Sequence, residues 1–338
     1  MMKNIAVLAG GNSGEYEVSL KTAQNICNIL DKKQFTPYFI HVRGSEWGYT
    51  DDLGNTFWID KNDFSLMLSG RKMYFDVAFI AIHGNPGEDG KMQGYFDMLH
   101  IPYTGCDCFC SALTFNKYFC NVVVSHWHVP IAPSLHFYKD SAIDLTQIEA
   151  ICGYPCFVKP CNSGSSVGVT KVHEIGELQT ALAEAFLHDD QLMVEQFIKG
   201  REMTCGVARV NGRVQALAVT EVVAKNEFYD YQAKYTDSRH ELITPASIAS
   251  ATETTIKRYS ELIYEKLGCK GVVRIDFIVD SKEKPFFLEI NTIPGQTALS
   301  IIPCQVKYLG IELKEFYQNI IEEAVQRFQI DDNNLTEC

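Results

Sequence analysis

The stretch that most constrains this chain is residues 271–295, GVVRIDFIVDSKEKPFFLEINTIPG. Two alternating apolar runs flank the polar tetrad Ser281-Lys282-Glu283-Lys284, the pattern of an antiparallel hairpin. With Asp280 paired to Pro285 across that loop, Asp276 lies opposite Glu289 and Arg274 opposite Asn291. Side chains two apart on a strand share a face, so these four form one polar patch on a sheet. Facing acids repel unless a cation lies between them. Magnesium wants hard oxygen ligands, takes few from protein, and leaves the rest to phosphate and water. Two carboxylates and an asparagine oxygen suit that need. A plain solvated sheet face accounts for them less well, because their neighbours are strongly apolar and the polar run ends at Pro294-Gly295.

The start of the chain has a different rhythm. Asn4–Ala9 reads as a buried strand, and Gly10-Gly11-Asn12-Ser13-Gly14 as a turn. Ser19–Ile29 has helical apolar spacing, and Phe35–His41 and Asp76–Ile82 are two more strands. Strand–helix–strand order predicts a parallel sheet covered on both faces, with ligands at the C-terminal ends of its strands. Glu15 follows the first strand, and the glycine-rich loop His83–Gly90 follows the third. After Tyr103-Thr104-Gly105 the character changes. A helix is expected over Thr114–Val124, then two strands joined by a glycine/serine turn across Tyr154–Val172. Strands follow from Gln191, a helix over Ile256–Leu267, strands to Asn291, and helix to the end. Nothing repeats and no low-complexity linker intervenes, so three units sharing interfaces are expected: 1–105, 106–193 and 194–338.

Three further segments carry chemistry. In CFVKPCNSGSSVGV, from Cys156 to Val169, a strand delivers Lys159 to a loop of small hydroxyl residues that can fold over a polyphosphate. The segment is no P-loop, and by itself it reads equally well as a serine-rich hairpin. In LMVEQFIKGRE, Glu195 ends a hydrophobic strand and Glu202 follows Gly200; either can accept from an adenine amino group or a ribose hydroxyl, or be a surface acid. The tyrosine-rich stretch Glu227–Glu241 has no steady period and reads as a lid, with Lys234 and Tyr235 placed to close over a phosphate.

A net charge of −12 over 338 residues argues against nucleic acid as a partner. No apolar run is long enough to cross a bilayer, and the N-terminus reads as a strand and turn rather than a signal peptide. A cytoplasmic location with no membrane attachment is therefore expected. The twelve cysteines lack paired CxxC spacing and read as reduced structural thiols. Cys106, Cys108 and Cys110 alternate as if on one face of an extended segment.

In order, GGNSGEYEVSL, HGNPGEDGKMQGYFDMLHIPYTG, SALTFNKYF, FVKPCNSGSSVGVTKV, VEQFIKGREMT, FYDYQAKY, RIDF and LEINTIPGQTALSIIP resemble the D-alanine–D-alanine ligase family of the ATP-grasp superfamily, over nearly the whole chain. The resemblance implies an α/β fold (α+β overall): a Rossmann-like N-terminal domain, then a two-lobed ATP-grasp. It implies ATP-dependent joining of two D-alanines through D-alanyl phosphate, for peptidoglycan precursors. Lys117, Lys159 and Lys234 would contact phosphates, Glu195 and Ile198 the adenine, and Glu202 the ribose. Asp276, Glu289 and Asn291 would hold two magnesium or manganese ions. Glu15, Ser165 and Tyr235, with His83 nearby, would sit at the first D-alanine; Arg274, Gly295, Ser300 and Ile301 would sit at the second. A homodimer is implied as well. Asn116, Gln196, Gln296 and Ile301 depart from the family's usual residues, and Gln296 and Ile301 bear on the second substrate. A same-fold ligase taking D-lactate or D-serine is the nearest rival; Tyr235 argues against D-lactate.

Overall fold

The computed structural model describes residues 2–210, 212–224 and 240–336. The first unit is a seven-stranded sheet built from β1 (Lys3–Gly10), β2 (Phe35–Arg43), β3 (Glu46–Thr50), β4 (Thr56–Asp60), β5 (Ser65–Leu68), β6 (Arg71–Met73) and β7 (Val77–Ile80), in the order β6-β5-β4-β3-β2-β1-β7. Only β2-β1-β7 is parallel; β3 to β6 form an antiparallel extension that the strand–helix–strand reading did not anticipate. The reason is chain length: residues 46–73 carry short strands joined by two to five residues, and connections that short can join only antiparallel neighbours. Ile5 to Ala9 are fully buried, as a central strand between two covered faces requires. Helices α1 (Tyr16–Ile29) and α2 (Lys91–Met98) follow β1 and β7.

The region expected as one helix over Thr114–Val124 is two: α3 (Cys108–Phe115) and α4 (Lys117–His126). Asn116 between them is extended (φ −85°, ψ 105°), and its side-chain oxygen accepts the Phe119 N–H at 3.1 Å, capping α4. Cys108 and Cys110 are therefore helical, and the extended reading of that segment fails because Asp107 caps α3 by accepting from Cys110 N–H at 2.8 Å.

A second sheet, ordered β10-β9-β11-β8, uses β8 (Ser134–Tyr138), β9 (Cys156–Pro160), β10 (Thr170–Val172) and β11 (Gln191–Gln196), backed by α5 (Leu145–Cys152) and α6 (Ile175–Ala185). The third, ordered β14-β13-β12-β15-β16, uses β12 (Gly200–Val210), β13 (Arg213–Ala224), β14 (His240–Ile243), β15 (Val272–Asp280) and β16 (Pro285–Asn291). Helix α7 (Ser250–Lys266) packs on it through Ile256, Ile263 and Tyr264. Helix α8 (Ile301–Tyr308) follows β16. The C-terminal α9 (Leu313–Thr336) returns to the first sheet, where Phe316, Tyr317 and Ile320 join Ile5, Val7 and Phe79 in one core.

Candidate active site

The hairpin register is set by a bulge. Val279 pairs with Pro285, one residue from the expected Asp280–Pro285 pairing, because Asp280 is drawn into the turn, where its carboxylate accepts from the Lys282 and Lys284 N–H groups. An extra residue at Leu288 then restores the alignment, so Asp276 still faces Glu289 and Arg274 still faces Asn291. Asp276 is 3% exposed. It accepts from Arg274 through Nε (2.9 Å) and Nη2 (2.7 Å), from Thr204 Oγ1 on the adjoining β12 (2.5 Å) and from Asn291 Nδ2 (3.2 Å). Glu289 accepts from Lys117 Nζ at 3.0 Å. Each acid of the facing pair is thus held against a cation.

These groups line a cleft of about 510 Å³. The N-terminal unit contributes Glu15 and His83; the loop after β9 contributes Ser163, Gly164 and Ser165; and the turn after β16 contributes Gly295, Ser300 and Ile301. Ser165 is buried in the left-handed region (φ 53°). A Cβ at Gly164 would lie 3.0 Å from Glu15 Oε2, so this position leaves the serine loop and the Glu15 carboxylate in close approach. A Cβ at Gly295 would lie 3.0 Å from Ser300 Oγ, which in turn is bonded to Thr297. Lys117 and Glu202 also face the cleft.

Lys159 and Glu195 are brought together elsewhere, on the second sheet, as an ion pair of 2.6 Å with both side chains buried. Ile198 lies half-buried in the short connection from β11 to β12. Lys234 and Tyr235, with the lid stretch around them, fall outside the described residues.

Burial favours the neutral imidazole and lowers the His83 pKa. Its tautomer is fixed: Nδ1–H donates to Ile293 O (2.8 Å), Nε2 accepts from the Thr22 hydroxyl (3.1 Å), and Thr22 in turn accepts from Gln296 N–H (3.3 Å). For Lys117, burial opposes the charge, but the Glu289 carboxylate and its hydrogen bond outweigh it and raise the ammonium above its ordinary value. Glu88 was not singled out as a site residue in the sequence. It lines the cleft, accepts from Gly84 N–H (2.7 Å) and Ile293 N–H (3.2 Å), and is pushed up to about 7 by burial and by the nearby Glu15 charge. Its only signal was membership of the polar loop after the third strand. Gln296, expected near the second-substrate pocket, points away: its side chain accepts from Tyr317 O–H at 3.2 Å, because α9 packs behind the turn. Asn116 serves as the α4 cap and bonds Asn162 and Gln191.

A sequence model described as D-ala D-ala ligase N-terminus matches residues 4–106, and one described as D-ala D-ala ligase C-terminus matches residues 123–322. The chain belongs to the D-alanine–D-alanine ligase family. It is 44% identical over 326 residues to the D-alanine–D-alanine ligase of Parabacteroides distasonis, covering 96% of this chain and 98% of that one. Among solved structures it resembles the VanG D-Ala:D-Ser ligase from Enterococcus faecalis (32% identity, TM-score 0.85, covering 97% and 100%). It also resembles the Bacillus anthracis D-alanine–D-alanine ligase complexed with ATP (26% identity, TM-score 0.79, covering 98% and 99%). This ligase thus has the ATP-grasp fold of its family, and the protein is an ATP-dependent ligase. Among its described residues, no helix is long and apolar enough to cross a membrane.

Proposed function

We propose that this ligase joins two D-alanine molecules into D-alanyl-D-alanine for peptidoglycan precursors, through a D-alanyl phosphate formed from ATP. The observation that carries this reading is the convergence on one cleft of a paired-acid face (Asp276, Glu289), an anchoring carboxylate (Glu15) and an oxyanion corner (Arg274, Gly295).

In this reading Lys117 and Lys159 offset phosphate charge, Lys234 reaches the γ-phosphate from the lid, Glu195 and Ile198 border the adenine, and Glu202 borders the ribose. Glu15 takes the ammonium of the first D-alanine, with Ser165 and Tyr235 completing its hydrogen-bonded set and His83 backing it. The carboxylate of that D-alanine attacks the γ-phosphorus. The amine of the second D-alanine then attacks the acyl carbon, and phosphate leaves. Arg274 and the Gly295 N–H face the oxyanion, a type of contact worth roughly 3–4 kcal/mol per donor. Ser300 and Ile301 hold the second substrate at the start of α8, where the positive end of the helix favours its carboxylate. Asp276, Glu289 and Asn291 fit magnesium or manganese, since they are hard oxygen donors on paired strands and both acids already attract cationic side chains. Two ions held there would supply charge neutralisation at the transferring phosphate.

We extend the proposal to a cytoplasmic homodimer with functional units 1–105, 106–193 and 194–338. The exposed Met98 and Phe109 on α2 and α3 offer apolar surface for a second copy. The test is ADP release with D-alanine, L-alanine, D-alanine plus D-lactate, or D-alanine plus D-serine, with product mass determined. Dipeptide from D-alanine alone supports the reading. A mixed product formed in preference to it moves the acceptor, and no turnover with any pair refutes the activity.

A further inference from the structure

Cys106, Cys110 and Cys269 place their three sulfurs within 4.8 Å of one another, and no other such cluster occurs among the described residues. All three are at most 1% exposed. They come from three places in the chain: the crossing just after Gly105, the first turn of α3, and the segment that follows α7. Two glycines bring these places together. Gly105 and Gly271 have positive φ (89° and 62°), and a Cβ on Gly271 would lie 3.1 Å from Gly105 Cα. Backbone bonds hold each cysteine. Asp107 caps Cys110, Cys269 N–H donates to Tyr264 O (2.9 Å), and Lys270 N–H donates to Cys106 Sγ at 3.5 Å.

We propose that Cys106, Cys110 and Cys269 form a binding site for a thiophilic divalent ion of the zinc type, remote from the catalytic cleft. Zinc–sulfur bonds of about 2.3 Å around a tetrahedral ion put sulfurs roughly 3.8 Å apart. Cys110 Sγ and Cys269 Sγ are 3.7 Å apart already. As thiols the three make only weak contacts, Cys110 with Cys269 at 3.7 Å and Cys106 Sγ donating to Lys270 O at 3.7 Å. Charge favours a divalent ion over monovalent copper: three thiolates and a dication leave one net negative charge, against two with a monocation. The Arg327 guanidinium donates to Gly105 O (3.1 Å) and Tyr103 O (2.8 Å), next to Cys106 in the chain, while the Asp107 carboxylate acts against thiolates at Cys106 and Cys110. Binding displaces up to three thiol protons to solvent, with no change of oxidation state. The N–H to sulfur bond from Lys270 is the kind of outer contact that orients a metal-bound thiolate. The ion would tie the end of the N-terminal unit and α3 to the strand entering β15.

The test is titration of the full, reduced ligase with cobalt(II) in saturating magnesium, which keeps oxygen sites occupied. One equivalent should saturate a thiolate-to-cobalt charge-transfer band, zinc should abolish the band, and protons should be released on binding. Cys110→Ala and Cys269→Ala should each weaken cobalt binding at least tenfold, while Cys152→Ala, a buried cysteine on α5, should leave it unchanged. Zinc should also shield these three thiols from alkylation in the unsubstituted protein, a readout that does not depend on the variants folding. No charge-transfer band, a band that survives both variants, or alkylation unaffected by zinc would overturn the site.

Discussion

Replacing Lys159 by methionine separates what its ion pair does for folding from what the lysine does for nucleotide. Lys159 Nζ lies 2.6 Å from Glu195 Oε1, and the two side chains are only 10% and 5% exposed. Removing one partner of so buried a pair leaves an uncompensated charge, and the loss is about 3–5 kcal/mol. Lys159→Met alone and Glu195→Leu alone should each lower stability by that amount. Lys159→Met/Glu195→Leu, which exchanges the pair for apolar groups of similar volume, should recover most of it. The ATP response should not recover. A charge-assisted contact to phosphate is worth about 1.5–3 kcal/mol, so KM for ATP should rise about 10- to 150-fold in both Lys159→Met proteins. Urea unfolding read by fluorescence gives the first quantity, and ADP release at varied ATP gives the second. If the double variant unfolds as easily as the singles, the loss in the singles is not the cost of an orphaned buried charge. If it keeps the unsubstituted KM, Lys159 does not meet the nucleotide.

Three further outcomes are expected. Glu289→Gln removes a carboxylate that holds Lys117 at 3.0 Å, so kcat should fall at least 100-fold and the magnesium needed for half-maximal rate should rise; an unchanged magnesium response rules out Glu289 as a ligand. Gly295→Ala brings a Cβ within 3.0 Å of Ser300 Oγ and shifts the oxyanion corner, so kcat should drop roughly 100-fold at unchanged melting temperature; a wild-type rate would exclude that corner. Glu88 titrates near 7 in the folded chain against an ordinary value of 4.5, so the native state binds its proton more tightly than the unfolded one. Its contribution is complete below about 4.5 and is lost as pH rises through 7, by at most about 3 kcal/mol. Unfolding followed across that window should show the decline, and Glu88→Gln should flatten it.

Much of the candidate site was legible because it is local. The period-two alternation of residues 272–291 is enough to place Arg274, Asp276, Glu289 and Asn291 on one face, and the Leu288 bulge corrected the loop without disturbing them. Glu88 is not legible in the sequence because a single acid in a polar loop looks like any solvated carboxylate. What makes it different is burial beside Glu15 and two backbone donors, one of them Ile293, far along the chain. The direction of the Gln296 side chain is hidden for a related reason. Its neighbours in sequence point into the cleft, but Tyr317 on α9 draws its side chain the other way.

By itself, then, the amino-acid order determined the parallel strands β1, β2 and β7, the paired acids and the family, since alternation and motif spacing are properties of neighbouring residues. The antiparallel extension of the first sheet, the return of α9 to that sheet and the joining of Cys269 to Cys106 and Cys110 were decided only by the tertiary structure. These depend on contacts between segments up to hundreds of residues apart, here between glycines at 105 and 271 whose lack of side chains allows two backbones to touch. No local pattern announces which distant glycine will be the partner.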